Sequence, residues 1–105
     1  MNLDHILVDG CPLCDIFKDP LKHIKTKLYY PDINSINSTD FIILDSKDTG
    51  VPLIIVRDHV SDLNKTIWGR ILFQSRRLFG PNIRLVYKPR KIKDHYHCYV
   101  YTIKN

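Results

Sequence analysis

Two histidines lie two residues apart in the segment Asp94-His95-Tyr96-His97-Cys98-Tyr99-Val100-Tyr101-Thr102-Ile103-Lys104-Asn105. Aromatic and β-branched residues dominate positions 96–103, and this composition is typical of a β-strand. Alternate side chains of a strand leave by the same face, so the imidazoles of His95 and His97 are predicted to point into one site.

Two cysteines lie far upstream in the turn Cys11-Pro12-Leu13-Cys14, and His59 precedes a predicted helix. A CxxC turn brings two thiolates to about the separation that one metal ion requires, and the ion then needs two further ligands. With His59 and His95 in those places, the four side chains predict a tetrahedral zinc site. Each has a simpler interpretation when taken alone. The cysteines would be buried apolar side chains, His59 a capping or surface residue, and His95 an exposed strand histidine.

Length and composition predict a single domain over residues 1–105, because a chain of 105 residues with 44% hydrophobic content can build one modest core. No apolar run approaches the roughly 20 residues of a membrane span, and the first residues lack a secretory-signal pattern. Three cysteines, two of them in a CxxC, fit a reducing compartment and a metal site better than a disulfide framework. We therefore expect a soluble intracellular protein of the cytoplasm or nucleus.

The charge balance is basic. Sixteen Lys and Arg against eleven Asp and Glu give a net charge of +5, which favours an anionic partner such as a nucleotide or a nucleic acid. The same excess is equally compatible with solubility alone.

The hydrophobic pattern predicts an α+β fold in which helices lie on an antiparallel sheet. Short apolar runs at 41–44 and 53–56 are predicted to pair as a hairpin, with further strands at 27–30, 83–87 and 96–103. A short helix is predicted over 16–27, interrupted at Pro20, followed by a polar loop over 31–39.

One long helix is predicted over 62–79, with Ser61 as the N-cap and Gly80-Pro81 as the stop. Its apolar stripe consists of Leu63, Ile67, Ile71, Leu78 and Phe79. Its predicted solvated face consists of Arg70, Arg76 and Arg77.

His97 suggests phosphoryl chemistry. A neutral imidazole attacks phosphorus well and leaves well, so it can split one difficult exchange into two easier steps. The alternative is a core histidine with satisfied hydrogen bonds. Just upstream is a basic connection, which would hold phosphates or a nucleic-acid backbone, or would simply be a solvated loop. Its cations are Lys88, Arg90, Lys91 and Lys93.

The order of several motifs points to a known family. The chain has Cys11-Pro12-Leu13-Cys14-Asp15-Ile16, then Phe41-Ile42-Ile43-Leu44-Asp45, then Gly50, and then Leu53-Ile54-Ile55-Val56-Arg57-Asp58-His59 before the long helix. The alternating histidines follow on the last strand. From residue 11 to residue 101 this pattern resembles the zinc-bearing members of the histidine triad (HIT) superfamily of nucleotide hydrolases and transferases.

The resemblance implies a HIT-like antiparallel sheet with one long helix and a short N-terminal helix. It implies that Cys11, Cys14, His59 and His95 bind a structural zinc ion. It makes His97 the nucleophile at the α-phosphorus of a nucleotide, with a nucleotidyl-histidine intermediate that passes to water or to a second acceptor.

The resemblance also implies the substrate contacts. Asp45 matches the acidic residue that family members direct toward the ribose, and Tyr29, Phe41 and Ile43 would form the base pocket. The third triad position is Tyr99, whose hydroxyl hydrogen-bonds phosphate oxygens but supplies no imidazolium charge at neutral pH.

The spacing from residue 84 to the last strand resembles the aprataxin and scavenger-decapping branches, which act on adenylated DNA ends or cap nucleotides. This implies that Lys88, Arg90, Lys91 and Lys93 contact the substrate. A rival hypothesis is a catalytically weakened HIT-like module that binds nucleic acid or a protein partner. A third is a zinc-stabilised subunit or homodimer, with Trp68 either at the contact or in the core.

Overall fold

The computed structural model of the chain describes residues 10–47, 49–58, 63–87 and 95–103. The described residues form one five-stranded antiparallel sheet with helices, so the predicted α+β class is confirmed. In chain order the elements are α1 (Pro12–Lys18), α2 (Pro20–His23), β1 (Leu28–Tyr30), a 3₁₀ helix (Ile33–Ser38), β2 (Phe41–Asp45), β3 (Pro52–Val56), α3 (Lys65–Phe79), β4 (Ile83–Val86) and β5 (His97–Thr102).

The sheet has the strand order β1-β2-β3-β5-β4. The predicted hairpin of β2 and β3 is confirmed, with Phe41 opposite Val56 at one end and Asp45 opposite Pro52 at the other. β5 enters between β3 and β4, where it pairs with both. The histidine-bearing strand is therefore an interior strand of the sheet.

Each face of the sheet is covered by a separate apolar cluster. The α1-side core contains Cys11, Leu13, Cys14, Phe17, Ile36, Ile42, Leu44 and Ile55. The α3-side core contains Phe41, Ile43, Ile54, Val56, Ile71, Cys98 and Val100. Residues of β2 alternate between the two cores, as the period of a strand requires.

The long helix starts later than predicted. Leu63 and Asn64 are not helical, and Asn64 is the N-cap: its Oδ1 accepts a hydrogen bond from the backbone nitrogen of Ile67 at 2.8 Å. The predicted start at position 62 and cap at Ser61 were therefore wrong. The end at Phe79 is confirmed, because Gly80 takes a positive φ of 91° and its N–H donates to the carbonyl of Arg76.

The predicted apolar stripe of α3 packs against the α3-side core, and the three arginines of its other face are exposed. Arg70 also forms an ion pair with Asp40.

The N-terminal helical region is also shifted. The predicted helix over 16–27 is replaced by α1 and α2, which begin at Pro12 and Pro20. Proline suits the first helical position because its fixed φ matches a helix and its missing N–H would have no partner there. The predicted polar loop over 31–39 contains the 3₁₀ helix. Within the described ranges, no helix is both long and apolar enough to cross a bilayer.

Candidate metal centre and the adjacent histidine

The CxxC turn is held at the start of α1. Cys11 is the N-cap residue with an extended backbone, at φ −96° and ψ 115°, and Cys14 lies in the first turn. The helix closes this turn through a hydrogen bond of 3.1 Å from the Asp15 N–H to the Cys11 carbonyl. Both cysteines are buried, and neither forms a disulfide. Two thiols therefore face the sheet from one helical turn.

His95 meets both thiols from the other end of the chain. Its Nδ1 lies 3.4 Å from the Sγ of Cys11 and 3.3 Å from the Sγ of Cys14. The three ligand atoms lie within 4.8 Å of one another, and His95 is completely buried. This cluster can hold a metal ion, and it contains three of the four predicted zinc ligands.

The hydrogen bonding of His95 fixes its tautomer. Its Nε2 lies 2.5 Å from the carbonyl oxygen of Val56, which only accepts, so the proton resides on Nε2. The lone pair of Nδ1 is then directed at the two sulfurs. A neutral imidazole that donates its second nitrogen to a carbonyl is the form that metal-binding histidines take. A cation between the three ligand atoms would bind all of them together.

Phe17 covers the imidazole of His95. The rings are nearly parallel, with an angle of 8° and centroids 6.5 Å apart, and Phe17 is 1% exposed. The apolar cover keeps water from the cluster and fixes the ring orientation. Sequence reasoning missed this residue, although the CxxC turn and the helical period place Phe17 one turn after Cys14.

The fourth predicted ligand, His59, lies outside the described residues. The strand that leads to it is well anchored, because the Arg57 N–H donates to the Asp40 carbonyl at 2.8 Å and its guanidinium donates to the Asn37 carbonyl. Burial lowers the pKa of Arg57, and the carboxylate of Asp58 offsets part of this effect. The end of β3 contacts His95, because the Val56 carbonyl lies against the Nε2 of that imidazole.

His97 begins β5 and lies next to the candidate metal site formed by Cys11, Cys14 and His95. It is opposite Ile55 in the sheet and therefore shares the α1-side face. Its Nδ1 lies 2.8 Å from the carbonyl oxygen of His95, so Nδ1 carries the proton and Nε2 carries the lone pair. The side chain is 8% exposed. This hydrogen bond to the His95 carbonyl thus fixes the ring orientation of the predicted nucleophile.

Tyr99 follows on the same face of β5. It pairs with Leu53 on one side and Val86 on the other, and it is partly exposed. His97 and Tyr99 therefore lie on one face of β5, whereas His95 precedes the strand and reaches the thiols from the segment that leads into it. Cys98 points to the other face, where it lies in the α3-side core.

Asp45 is not brought to His97. Its backbone follows Leu44, which belongs to the α1-side core, so its side chain leaves by the α3 side. The pKa of Tyr29 is raised by burial and further by the Asp45 carboxylate, which places these two side chains together. The whole sheet separates this pair from His97.

The predicted base pocket also lies on the α3 side. Phe41 and Ile43 are 2% and 0% exposed, and Tyr29 packs against the same core with its ring edge-on to Phe79. These residues are part of the core of that face and do not meet His97. A sequence with four consecutive apolar residues gives no alternation from which their faces can be assigned.

The predicted substrate cations, Lys88, Arg90, Lys91 and Lys93, lie outside the described residues. The residues that flank this connection are described. Tyr87 stacks on Tyr96 with ring centroids 4.7 Å apart and an angle of 3°. Sequence reasoning missed this stack, because the two rings lie diagonally across a pair of antiparallel strands and not directly opposite each other.

Family models, curated proteins and solved structures were all compared with this chain. None matches. The histidine triad resemblance therefore stays a prediction. Any functional assignment rests on the geometry of His97 and of the cluster formed by Cys11, Cys14 and His95.

Proposed function

We propose that this protein is a metal-stabilised nucleotidyl hydrolase or transferase in which His97 attacks the α-phosphorus of a nucleotide conjugate. The observation that supports it best is the hydrogen bond from His97 Nδ1 to the His95 carbonyl, because it leaves Nε2 as the free nucleophilic nitrogen. The proposed metal is zinc, bound by Cys11, Cys14, His95 and His59.

The donor set supports zinc. Two thiolates and one or two neutral imidazoles form the tetrahedral mixed site that Zn²⁺ prefers, and the described ligands are buried as in structural sites. Such an ion would join α1 to the residues just before β5 and fix the backbone that leads into His97. It takes no part in the reaction itself.

The reaction then follows from the tautomer of His97. Nε2 forms a bond to the α-phosphorus while the bond from phosphorus to the leaving-group oxygen breaks, and the leaving group takes that electron pair. The imidazole becomes cationic, and the His95 carbonyl stabilises the charge by accepting from Nδ1–H. Attack by water or a second acceptor at phosphorus releases the nucleotide and regenerates the neutral imidazole.

Tyr99 and the basic connection complete the proposal. Tyr99 is partly exposed two residues along the same face, where its hydroxyl would donate to a phosphate oxygen. Lys88, Arg90, Lys91 and Lys93 would bind the phosphates of the substrate, including those of an adenylated nucleic-acid end. A homodimer and a location in the cytoplasm or nucleus remain part of the proposal.

A trapping experiment tests this function. The protein is incubated with an adenylated oligonucleotide or a dinucleoside polyphosphate and denatured at neutral pH. Its intact mass is then measured by mass spectrometry. We expect the mass of the protein to increase by one nucleotidyl group, and we expect no increase in His97→Ala. Cys98→Ala is the control, because it changes the neighbouring residue on the other face of the sheet and should keep the increase. Turnover that is unchanged in His97→Ala would remove the proposal.

The second candidate is a binding module, and Tyr99 is the observation that favours it. With tyrosine at the third triad position, that position supplies no imidazolium charge near neutral pH. This candidate predicts salt-dependent binding that survives His97→Ala and weakens in Lys91→Gln or Lys93→Gln.

A further inference from the structure

The Tyr87–Tyr96 stack presents an aromatic surface on the α3 side of the sheet. The planes of the two stacked rings are almost parallel, and Tyr87 is 42% exposed. A ring held by one parallel neighbour and open to solvent can receive a further flat ring at stacking distance. Because the partner ring already fixes its orientation, less side-chain freedom is lost on binding.

A shallow cavity adjoins the second ring of this pair. It has a volume of about 290 Å³ and is lined by Leu63, Asn64, Lys65, Trp68 and Tyr96. Tyr96 thus has two aromatic neighbours in this region: Tyr87 stacks on it, and Trp68 shares the cavity.

The charge of the surrounding sequence suits a polyanion. Lys65 lines the cavity, and the connection between Tyr87 and His95 contains four cations and one carboxylate, that of Asp94. The whole chain has a net charge of +5. Aromatic rings next to a basic segment are the combination that single-stranded nucleic acid requires, because its bases stack and its phosphates bind cations.

We infer that Tyr87, Tyr96 and Trp68 form a stacking surface for unpaired bases of single-stranded nucleic acid. This inference goes beyond the proposed function and does not depend on it, since the stacking surface lies on the α3 side and His97 lies on the α1 side. Base stacking tolerates any sequence, so oligonucleotides of different composition bind similarly.

Fluorescence anisotropy with labelled 12-nucleotide single strands tests the inference in the full chain. We expect Tyr87→Leu to weaken binding by about 5-fold to 100-fold, the range that loss of one stacked base produces. Tyr87→Phe keeps the ring and should bind as the wild type does. The control is Tyr101→Leu, which removes a tyrosine of similar exposure, 37%, from the α1 side and should change the affinity less than about 2-fold.

Trp68 supplies a second readout. It is the single tryptophan of the chain and lines the cavity, so its emission should change when an oligonucleotide binds. This change should be lost in Tyr87→Leu at oligonucleotide concentrations that saturate the wild type. Circular dichroism of each variant shows whether the fold is retained, and Tyr87→Phe gives the comparison if Tyr87→Leu is less stable.

Three results would overturn the inference. The first is equal affinity of Tyr87→Leu and the wild type. The second is equally tight binding of duplex DNA or of poly-glutamate of the same charge, since either would indicate a general anion-binding surface. The third is no oligonucleotide binding at low salt. His97→Ala separates the two proposals, because it should abolish the nucleotidyl adduct and leave this binding unchanged.

Discussion

His95 connects the two cysteines to the predicted nucleophile, His97, through its side chain and its backbone carbonyl. Its Nδ1 faces the sulfurs of Cys11 and Cys14, and its backbone carbonyl accepts the Nδ1–H of His97. The sequence identified both histidines, because their spacing on a strand is visible. It gave no indication of the two carbonyl groups that fix the tautomers, since a main-chain acceptor has no sequence signature.

The first prediction at this scale concerns metal affinity. His95→Gln keeps a polar side chain but removes the imidazole ligand. We expect the affinity for Zn²⁺ to fall by more than about 100-fold, because losing a direct ligand should weaken binding more than losing a residue that only hydrogen-bonds to a ligand. Competition with a chromophoric chelator measures it. His23→Gln is the control, because His23 is exposed on α2. Equal affinities of His95→Gln and the wild type would exclude His95 as a ligand.

The second prediction concerns alkaline stability. Burial raises the pKa of Cys98 from 9.0 to about 12. The folded state holds this proton more tightly than the unfolded chain, so its contribution to stability is complete below pH 9 and declines as the pH rises toward 12. Urea unfolding across this range should show a smaller decline in Cys98→Ala than in the wild type. An identical pH dependence would contradict the prediction.

At the scale of elements, the hydrophobic pattern of the sequence predicted the strands and the buried stripe of α3 more accurately than it predicted the first residue of each helix. The apolar runs of β2 and β3 were visible because buried strands are short and β-branched. The start of α3 depended on which of two good capping residues is used, Ser61 or Asn64, and tertiary contacts decide this. The face of Asp45 could not be predicted, because β2 is apolar on both sides.

The cap of α3 gives a prediction of its own. Asn64→Ala removes the acceptor of the Ile67 N–H, and we expect the free energy of unfolding to fall by about 1 kcal/mol. Asn64→Asp keeps an acceptor and should retain the stability. Thr66→Ala, at an exposed position in the first turn, serves as the control in urea unfolding. A loss in Thr66→Ala as large as that in Asn64→Ala would show that the cap is not the cause.

For the whole molecule, the candidate metal site joins residues that are distant in the chain. Cys11 and Cys14 are separated from His95 by 84 and 81 residues. A cross-link that closes so long a loop removes much conformational freedom from the unfolded chain. The two sheet faces have separate cores, and the cluster lies within the α1-side core.

We therefore expect metal removal to destabilise the whole fold. Chelation should lower Tm by roughly 10 °C or more, since a domain of this size shifts by several degrees for each kcal/mol. Calorimetry of Cys14→Ser should give the low Tm with or without chelator, whereas Cys98→Ser should still respond to chelator. If the wild type has the same Tm before and after its metal is removed, the cluster does not stabilise the fold.

The interior position of β5 has a consequence for biosynthesis. β3 leaves the ribosome well before β5, and until β5 arrives the inner edge of β3 lacks the partner that it has in the finished sheet. Unpaired apolar edges of this kind associate with other nascent chains. We therefore expect nascent chains to be most prone to association after β3 has emerged and before β5 has paired with it, the same interval in which Cys11 and Cys14 lack the His95 imidazole.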